Sequence, residues 1–486
     1  MRSAQSSTTP YWHMGLGPAP DTLPEPPKQA DLVIVGSGYT GLNAALVAAR
    51  GGRSVLVLDA EEPGFGCSTR NGGQISTGVK PSLATLTAKF GEEKARAIRE
   101  AGAGALDWFG RFIADEGFDC DFERKGRFHA AHTPKHYEEL VREAEKLKRD
   151  EGIETFAVPR AEQHKELGSD AYHGGVVYTK HCALQPAKYH RALMQRALEA
   201  GVEIVGSCRV SGIERKGSGF EVRSEKGPVS ARNVLVATNG YTTGATPWLQ
   251  RRVIPIGSYM IATEELPEGV VDRLFPTGRI ASDTCKVLYY YRASPDRKRI
   301  LFGGRVSASE MDPAVSGPRL REAMIRIFPE LASAAITHSW SGFVAYSFDE
   351  LAHTGCHDGV HYALGYCGSG VSMASYLGMK AGLKILGSPE GRTAFDDLNH
   401  PTRPFYFGKP WFLPAAVTWY RFVDKHPWAG EATRLVALRP ECIGDGGPEH
   451  TIIEGSKNRE RGKNEQQIDF DTGSNAARLD GDGAGE

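Results

Sequence analysis

A chain of 486 residues is long for one hydrophobic core, and about two domains is the natural expectation. Its 58 Lys and Arg offset 59 Asp and Glu, leaving a net charge of −1, so no basic field exists to hold a nucleic acid by its phosphates. Eight cysteines (Cys67, Cys120, Cys182, Cys208, Cys285, Cys356, Cys367 and Cys442) are scattered without a Cys-x-x-Cys pair; this argues against a zinc ribbon, a redox pair or a disulfide scaffold and reads as reduced thiols in a cytoplasmic protein.

From the N-terminus, residues 1–29 have no apolar run of signal-peptide type and are broken by prolines from Pro10 to Pro27. They are expected to form an arm on the surface, and no later stretch reaches the apolar length of a membrane span. Asp31 to Asp59 then predicts an apolar strand (Leu32 to Val35), a glycine turn, an Ala-rich helix and a second apolar strand, which is a βαβ dinucleotide unit. In the fingerprint Gly36-Ser37-Gly38-Tyr39-Thr40-Gly41, Gly36 permits the tight turn. Gly38 lets amides approach a pyrophosphate at the helix N-terminus, and Gly41 lets the helix lie close on the sheet. Asp59 stands where a ribose hydroxyl needs an acceptor. Glycine turns alone are common; the preceding strand and the acid about 20 residues later are the confirming context.

Directly after Asp59 comes a polar, glycine-rich loop, Gly64 to Ser76. Gly72 and Gly73 remove side chains where a flat ring can lie against the backbone, and Ser68, Arg70, Asn71 and Gln74 supply hydrogen bonds for a phosphate or heterocycle. An ordinary surface loop has the same composition. The run GFGCSTRNGGQ after GSGYTG resembles the FAD-dependent oxidoreductases of the D-amino-acid oxidase, glycine oxidase and sarcosine oxidase superfamily, nearest to the γ-glutamylputrescine oxidase branch. The likeness spans roughly residues 30 to 390 in order. It implies an α/β fold with a discontinuous Rossmann-like FAD-binding domain of glutathione-reductase type and an α+β, antiparallel-sheet substrate domain.

Residues 93–150 show helical patterning (Ala95, Ile98, Ala101, Ala105, Trp108, then a charged helix from His136 to Asp150), separated by a strand-like DCDFERKGRFHAAHT. His129, His132 and His136, and again His353, His357 and His361, have spacings open to a metal, but they lack paired thiols or carboxylates and read as solvated or turn histidines. Gly355, Asp358 and Gly359 mark a hairpin. Leu184 to Gly217 reads as an amphipathic helix, a Gly201 stop and two short strands. The resemblance makes this the return to the nucleotide domain, with the Val210 backbone meeting the adenine. The strand Asn233 to Ala237 leads to Gly240, which closes near the cofactor with little steric demand.

From Ile254 to Trp340 the pattern is strands with one helix near Arg319 to Phe328. In KVLYYYR the period of two separates Val287, Tyr289 and Tyr291 from Lys286, Leu288, Tyr290 and Arg292. One face is core or a roof over a flavin, a choice the pattern leaves open. Tyr259, Arg305, Tyr346 and Tyr291 are the substrate-side candidates. In residues 362–387 an apolar strand enters Gly365, and Gly368, Ser369, Gly370, Val371 and Ser372 open a helix: a second place where amides and a positive helix end face a ligand. The resemblance points that helix end at the N1 and C2 carbonyl edge of the flavin. The same motif would suit a phosphate, but no acid follows on a later strand, and no second complete fingerprint argues for a separate NAD(P)H domain.

Two departures from the family pattern matter. Gly342 occupies the position of the cysteine that bonds FAD covalently in monomeric sarcosine oxidases, so FAD is expected to be non-covalent. After Trp340-Ser341-Gly342 come Phe343, Val344 and Ala345, where related amino-acid oxidases carry an Arg for the substrate carboxylate; an amine, or an N-substituted acid held elsewhere, is favoured. The expected activity is oxidation of a C–N bond of such a small molecule by O2, yielding peroxide; the alternative is a dehydrogenase feeding a quinone or carrier protein. The expected division is an arm (1–29), an FAD domain (30–105, 185–253, 341–390), a substrate domain (106–184, 254–340), a C-terminal packing segment (391–443) and a disordered tail (444–486). Within the packing segment, Pro404 to Phe422 is aromatic and basic enough to touch a membrane surface, though a helix packed on the domain is the favoured reading and membrane contact is not expected.

Overall fold

The computed structural model describes residues 6–76, 78–305 and 311–425. The expected disordered tail, 444–486, lies outside the described residues. In chain order the elements begin with β1 (Gln29–Val35), α1 (Tyr39–Arg50), β2 (Val55–Leu58), β3 (Gln74–Ile75), α2 (Leu83–Phe90) and α3 (Glu92–Asp115). Then come β4 (Arg127–Ala130), α4 (Pro134–Glu151), β5 (Thr155–Val158), β6 (Gly175–Tyr178), β7 (Cys182–Ala183) and α5 (Pro186–Glu199). β8 (Glu203–Val205), β9 (Val210–Lys216), β10 (Gly219–Ser224), β11 (Gly227–Val236), α6 (Pro247–Gln250), β12 (Ile254–Thr263) and α7 (Val270–Leu274) follow. The chain continues through β13 (Ile280–Asp283), β14 (Tyr289–Ala293), β15 (Ile300–Gly304), α8 (Pro313–Ile327) and β16 (Ile336–Tyr346) to β17 (His353–His357), β18 (Val360–Leu364), α9 (Gly370–Ile385) and α10 (Leu413–Lys425).

Two large sheets organise these elements. The first has the order β17-β18-β11-β1-β2-β8, with β1 parallel to both β2 and β11. Leu32, Val33 and Ile34 are fully buried because both faces of this sheet are covered. Leu32 and Ile34 pack with residues of α1, α3, α5 and α9, while Val33 packs with Val210, Phe220 and Val222 of the β9–β10 hairpin. Asp358 and Gly359, both with positive φ, form the two-residue turn between β17 and β18.

The second sheet runs β16-β12-β15-β14-β13-β4-β6-β5 and is antiparallel except for the β4–β13 pair. One face packs on α8: Phe128, Ala281, Tyr291, Phe302, Tyr259 and Ile261 meet Leu320, Ala323 and Met324. β16 is one continuous strand from Ile336 to Tyr346 paired with β12 throughout, so a domain boundary at 341 falls inside it. The KVLYYYR segment becomes a strand only at Tyr289. Before that, the amides of Lys286 and Val287 are bound by the Asp424 carboxylate and that of Tyr289 by Asp283.

The N-terminal arm departs from expectation. It is not merely a surface arm: Trp12 is fully buried among Ala187, Met260, Ala262, Leu301 and Trp340. Its indole N–H donates to Asn71 O at 2.8 Å, its carbonyl accepts from Gln185 Nε2 at 2.7 Å, and Ser7 bridges to His338 on β16. A large indole with a satisfied N–H gains more by burial than the prolines around it lose by irregularity.

Candidate active-site cavity

Between the two sheets lies a cavity of about 1550 Å³, more than a small ligand alone requires. Its first wall is built by the fingerprint. Gly36 has φ +106°, and a Cβ there would meet Ala237 O at 3.0 Å; a Cβ on Gly41 would sit 1.9 Å from Gly36 O. The turn therefore closes only with glycine at both places. α1 is capped by Gly38 and α9 by Ser369, whose side chain bonds no helix amide; the first amide of α1, Tyr39 N–H, donates to Ser68 Oγ of the following loop at 3.1 Å. Two helix N-termini thus present N–H groups and positive dipole ends to one cavity.

Asp59 lines the cavity, yet its carboxylate accepts hydrogen bonds from the turn itself and from the residues that follow it. Oδ2 accepts from Ser37 N–H at 2.8 Å and Ser37 Oγ–H at 2.6 Å, and Oδ1 accepts from Glu61 N–H at 3.1 Å. Burial pushes its carboxyl above the usual range. Gly38, Tyr39, Thr40, Ser68, Val210 and Gly240 also border the cavity, as do Gly368, Ser369, Gly370 and Val371. Ser37, Gly41, Gly73 and Ser372 stand behind it: Ser37 faces Asp59, and Ser372 Oγ faces Ser76 O at 3.4 Å.

The loop after β2 is more self-contained than its composition suggests. Asn71 donates to Cys67 O and Ser68 O and accepts from Gly73 N–H. Arg70 donates to Phe65 O and Ser341 O, and Gln74 to Ala281 O and Tyr291 O. The space at Gly72 is filled from within: a Cβ there would lie 2.7 Å from the Tyr290 ring, and one on Gly73 would lie 2.2 Å from Leu184 O. These two glycines make room for protein. Arg70, Asn71, Gly72 and Gln74 nevertheless remain in the cavity wall. The Trp12 and Trp340 indoles hold the loop from outside, donating to the consecutive carbonyls of Asn71 and Arg70.

Of the substrate-side candidates, Arg305 and Tyr346 reach the cavity and Tyr259 and Tyr291 do not. Strand alternation is the reason. Tyr291 points to the α8 side, where its OH donates to Tyr172 OH at 2.8 Å, and Tyr259 OH accepts Met311 N–H at 2.9 Å. The neighbouring Tyr290 faces the cavity instead, its hydroxyl 2.8 Å from Ser258 Oγ. Lys80, on the segment before α2, was not selected from sequence. Its Nζ bonds Tyr346 OH at 2.5 Å. Burial works against the ammonium, but Tyr346, Cys367 and Glu350 around it raise its pKa above the ordinary value. Arg127 and Ser282 from the second sheet also line the cavity unpredicted, as do Trp411 and Phe412 just before α10 and Tyr420 within it. No motif marks such residues; only the packing of distant strands assembles them.

Gly342 lies in the wall against Arg70 and Cys67, and the cavity thiols are Cys67 and Cys367. Burial pushes both up to about 11, and Cys367 Sγ donates to Gly365 O at 3.1 Å. The histidine sets find local partners: His129 Nδ1 bonds Ser282 Oγ, His132 Nδ1 bonds Thr284 Oγ1, and His353 bonds Asp349. Among the described residues one set of metal-type donors converges, His132, Cys285 and Asp424, but the Asp424 carboxylate already binds two amides.

The wall fits a dinucleotide on its own chemistry: a glycine turn too tight for any Cβ, two helix N-termini at one cavity, that of α9 without a side-chain cap, and an acid directly after β2. Residues 31–381 match the family described as FAD dependent oxidoreductase. The chain is 30% identical over 423 residues to the probable oxidoreductase OrdL of Rhizobium meliloti, covering 83% of this chain and 96% of that protein. It is 29% identical over 401 residues to the gamma-glutamylputrescine oxidoreductase of Escherichia coli, covering 81% and 92%. Glycine oxidase from Geobacillus kaustophilus superposes with a TM-score of 0.65 at 18% identity, over 78% of this chain and 99% of that one; this likeness establishes fold alone.

Proposed function

The chain belongs to the FAD-dependent oxidoreductase family, and from that premise we propose that it oxidises the C–N bond of a primary or secondary amine, or of an N-substituted amino acid, with O2 as acceptor. In the overall reaction the substrate loses two electrons and two protons to become an imine, and O2 gains them to become H2O2. Water then splits the imine into an aldehyde or keto acid plus an amine or ammonia. When bound, the flavin supplies hydride acceptance and electron transfer.

The observation that carries the proposal is the double-sided cavity. One wall offers the fingerprint turn, Asp59 and the Val210 strand to a dinucleotide, and the other offers Tyr290, Arg127, Ser282 and Arg305 to a small polar molecule. The N-terminal end of α9, which borders the cavity, would favour negative charge on a flavin held there. Lys80 and Tyr346, bonded to each other, place a cation and a hydroxyl in the same cavity. Trp411, Phe412 and Tyr420, which line the cavity, would limit water around the reacting carbon. We infer that FAD is held without a covalent bond: Gly342 has no nucleophile, and the cavity thiols stay protonated at neutral pH. The scattered spacing of the eight cysteines supports a cytoplasmic location.

A dehydrogenase passing electrons to a quinone or carrier protein is the second reading. It is favoured by the exposed aromatics Phe405, Phe407, Trp411 and Trp419 before and on α10; among the described residues no helix is long and apolar enough to cross a membrane. Flavin bleaching against a panel of polyamines, N-alkyl glycines, dicarboxylic amines and D-amino acids, with and without air, tests both. Bleaching reversed by air with stoichiometric peroxide supports the oxidase. Bleaching that only a quinone reverses moves the assignment to the dehydrogenase, and no bleaching by any amine refutes both.

A further inference from the structure

We propose that Arg127 is the anchor for a carboxylate on the substrate, so that the preferred substrates are amines that carry an acid group. The inference rests on the cavity being the site of amine oxidation.

The placement follows from strand alternation. On β4, Phe128 and Ala130 enter the core against α8, which turns Arg127 and His129 to the opposite face. Arg127 there borders the cavity. Its Nε has no acceptor, and Nη2 reaches Gln74 Oε1 only at 3.5 Å. Among the described residues, no carboxylate lies within ion-pair distance of it. Other enclosed arginines are provided for within the fold: Arg99 pairs with Glu151, Arg279 pairs with Glu166, and Arg292 is bound by the carbonyls of Ala293, Gly73 and Leu184.

An enclosed guanidinium without an anion is expensive to keep, because desolvation opposes the charge and nothing repays it. Burial lowers its pKa, yet only to about 10, so it stays charged at neutral pH. Its surroundings add donors and no competing acid. His181 is stacked on Tyr178 with both ring nitrogens unpartnered, and His129 bonds Ser282 Oγ at 2.9 Å; burial and the Arg127 charge hold both imidazoles neutral. A planar fork of N–H donors facing an enclosed space matches a carboxylate, which it binds bidentately. The fold therefore supplies from β4 the cation that Phe343, Val344 and Ala345 do not supply from β16. Those two strands lie at separated positions in the same sheet.

The test uses the full-length, flavin-loaded protein and two readouts. The first is binding of redox-inert probes, followed by calorimetry and by perturbation of the flavin spectrum: acetate, benzoate and glutarate, each against its primary amide, with inorganic phosphate and chloride as separate arms. The second is anaerobic flavin reduction by amines that bear a carboxylate at increasing distance from the nitrogen, each against its amide. We expect the wild-type protein to favour carboxylate over amide by about 30- to 100-fold. Arg127→Gln should collapse that ratio to near one, and Arg127→Lys should restore part of it. A ratio near one in the wild type, or an undiminished ratio in a folded Arg127→Gln, overturns the anchor; if that variant does not fold, the wild-type ratio and Arg127→Lys decide. Phosphate or chloride binding as tightly as the carboxylates overturns carboxylate selectivity. Arg127-dependent binding of inert carboxylates without flavin reduction by any amine would instead uphold the anchor and refute the oxidation reading.

Discussion

Asp59→Ala should damage both the fold and cofactor retention, and Asp59→Asn should separate the two. The carboxylate holds the fingerprint turn through Ser37 N–H and Ser37 Oγ–H, at 2.8 and 2.6 Å, and Ser37 is fully buried. Truncation to Ala leaves two enclosed donors without an acceptor, at about 1–3 kcal/mol each. Partial relaxation toward the cavity brings the expected loss to about 3 kcal/mol, or about 3 °C in thermal midpoint for a chain of this size. Asn keeps an oxygen that accepts both Ser37 bonds and loses the charge and the acceptor for Glu61 N–H, an exposed bond, so its thermal midpoint should fall by only about 1 °C. Its flavin affinity should nonetheless fall by about tenfold, as expected for loss of a charge-assisted bond to a ribose hydroxyl. Differential scanning fluorimetry of the apoproteins gives the first quantity, and flavin fluorescence titration gives the second. An Ala variant as stable as wild type would refute the turn argument. An Asn variant with unaltered flavin affinity would refute the ribose assignment while leaving the turn intact.

Trp12→Ala removes a fully buried indole and its bond to Asn71 O; we expect a loss of about 3–5 kcal/mol and faster flavin release, read by stopped-flow dilution. Unchanged release would show that the arm does not brace the loop. Gly41→Val places atoms beyond a Cβ that is already 1.9 Å from Gly36 O, so it should yield protein that is insoluble or free of flavin; a soluble yellow variant would contradict the tight-turn geometry. His190 donates to Ser37 O and is pushed down to about 4 by burial. Because its folded value lies below the ordinary 6.5, its contribution is complete above about pH 6.5 and is lost as pH falls toward 4, at about 1.4 kcal/mol per pH unit. Urea midpoints at pH 7, 6 and 5 should therefore decline less steeply in His190→Gln than in wild type, and equal slopes would refute the assignment.

The first wall of the cavity was legible in the chain itself. Leu32 to Asp59 is a local βαβ unit whose turn, helix start and helix–sheet contact are each set by a glycine within six residues, so spacing alone conveys the geometry. The Gly365 to Val371 turn, the Asp358-Gly359 hairpin and the Leu184 to Gly217 helix and strands were legible for the same reason: each is stabilised by neighbours in the chain. Tertiary structure decided the second wall. In KVLYYYR a period of two separates Tyr290 from Tyr291 but carries no sign of which face meets α8, and a one-residue choice of face exchanged the cavity residue for a core one. Trp12, Lys80 and Arg127 lie far apart in sequence and have no local pattern that marks them. Their roles arise from what packs beside them: a hydrophobic nest and the Asn71 carbonyl for Trp12, Tyr346 for Lys80, and for Arg127 a cavity wall with no described carboxylate within ion-pair distance. Contacts that depend on which distant strands become neighbours are energies of the assembled fold, and local periodicity does not encode them.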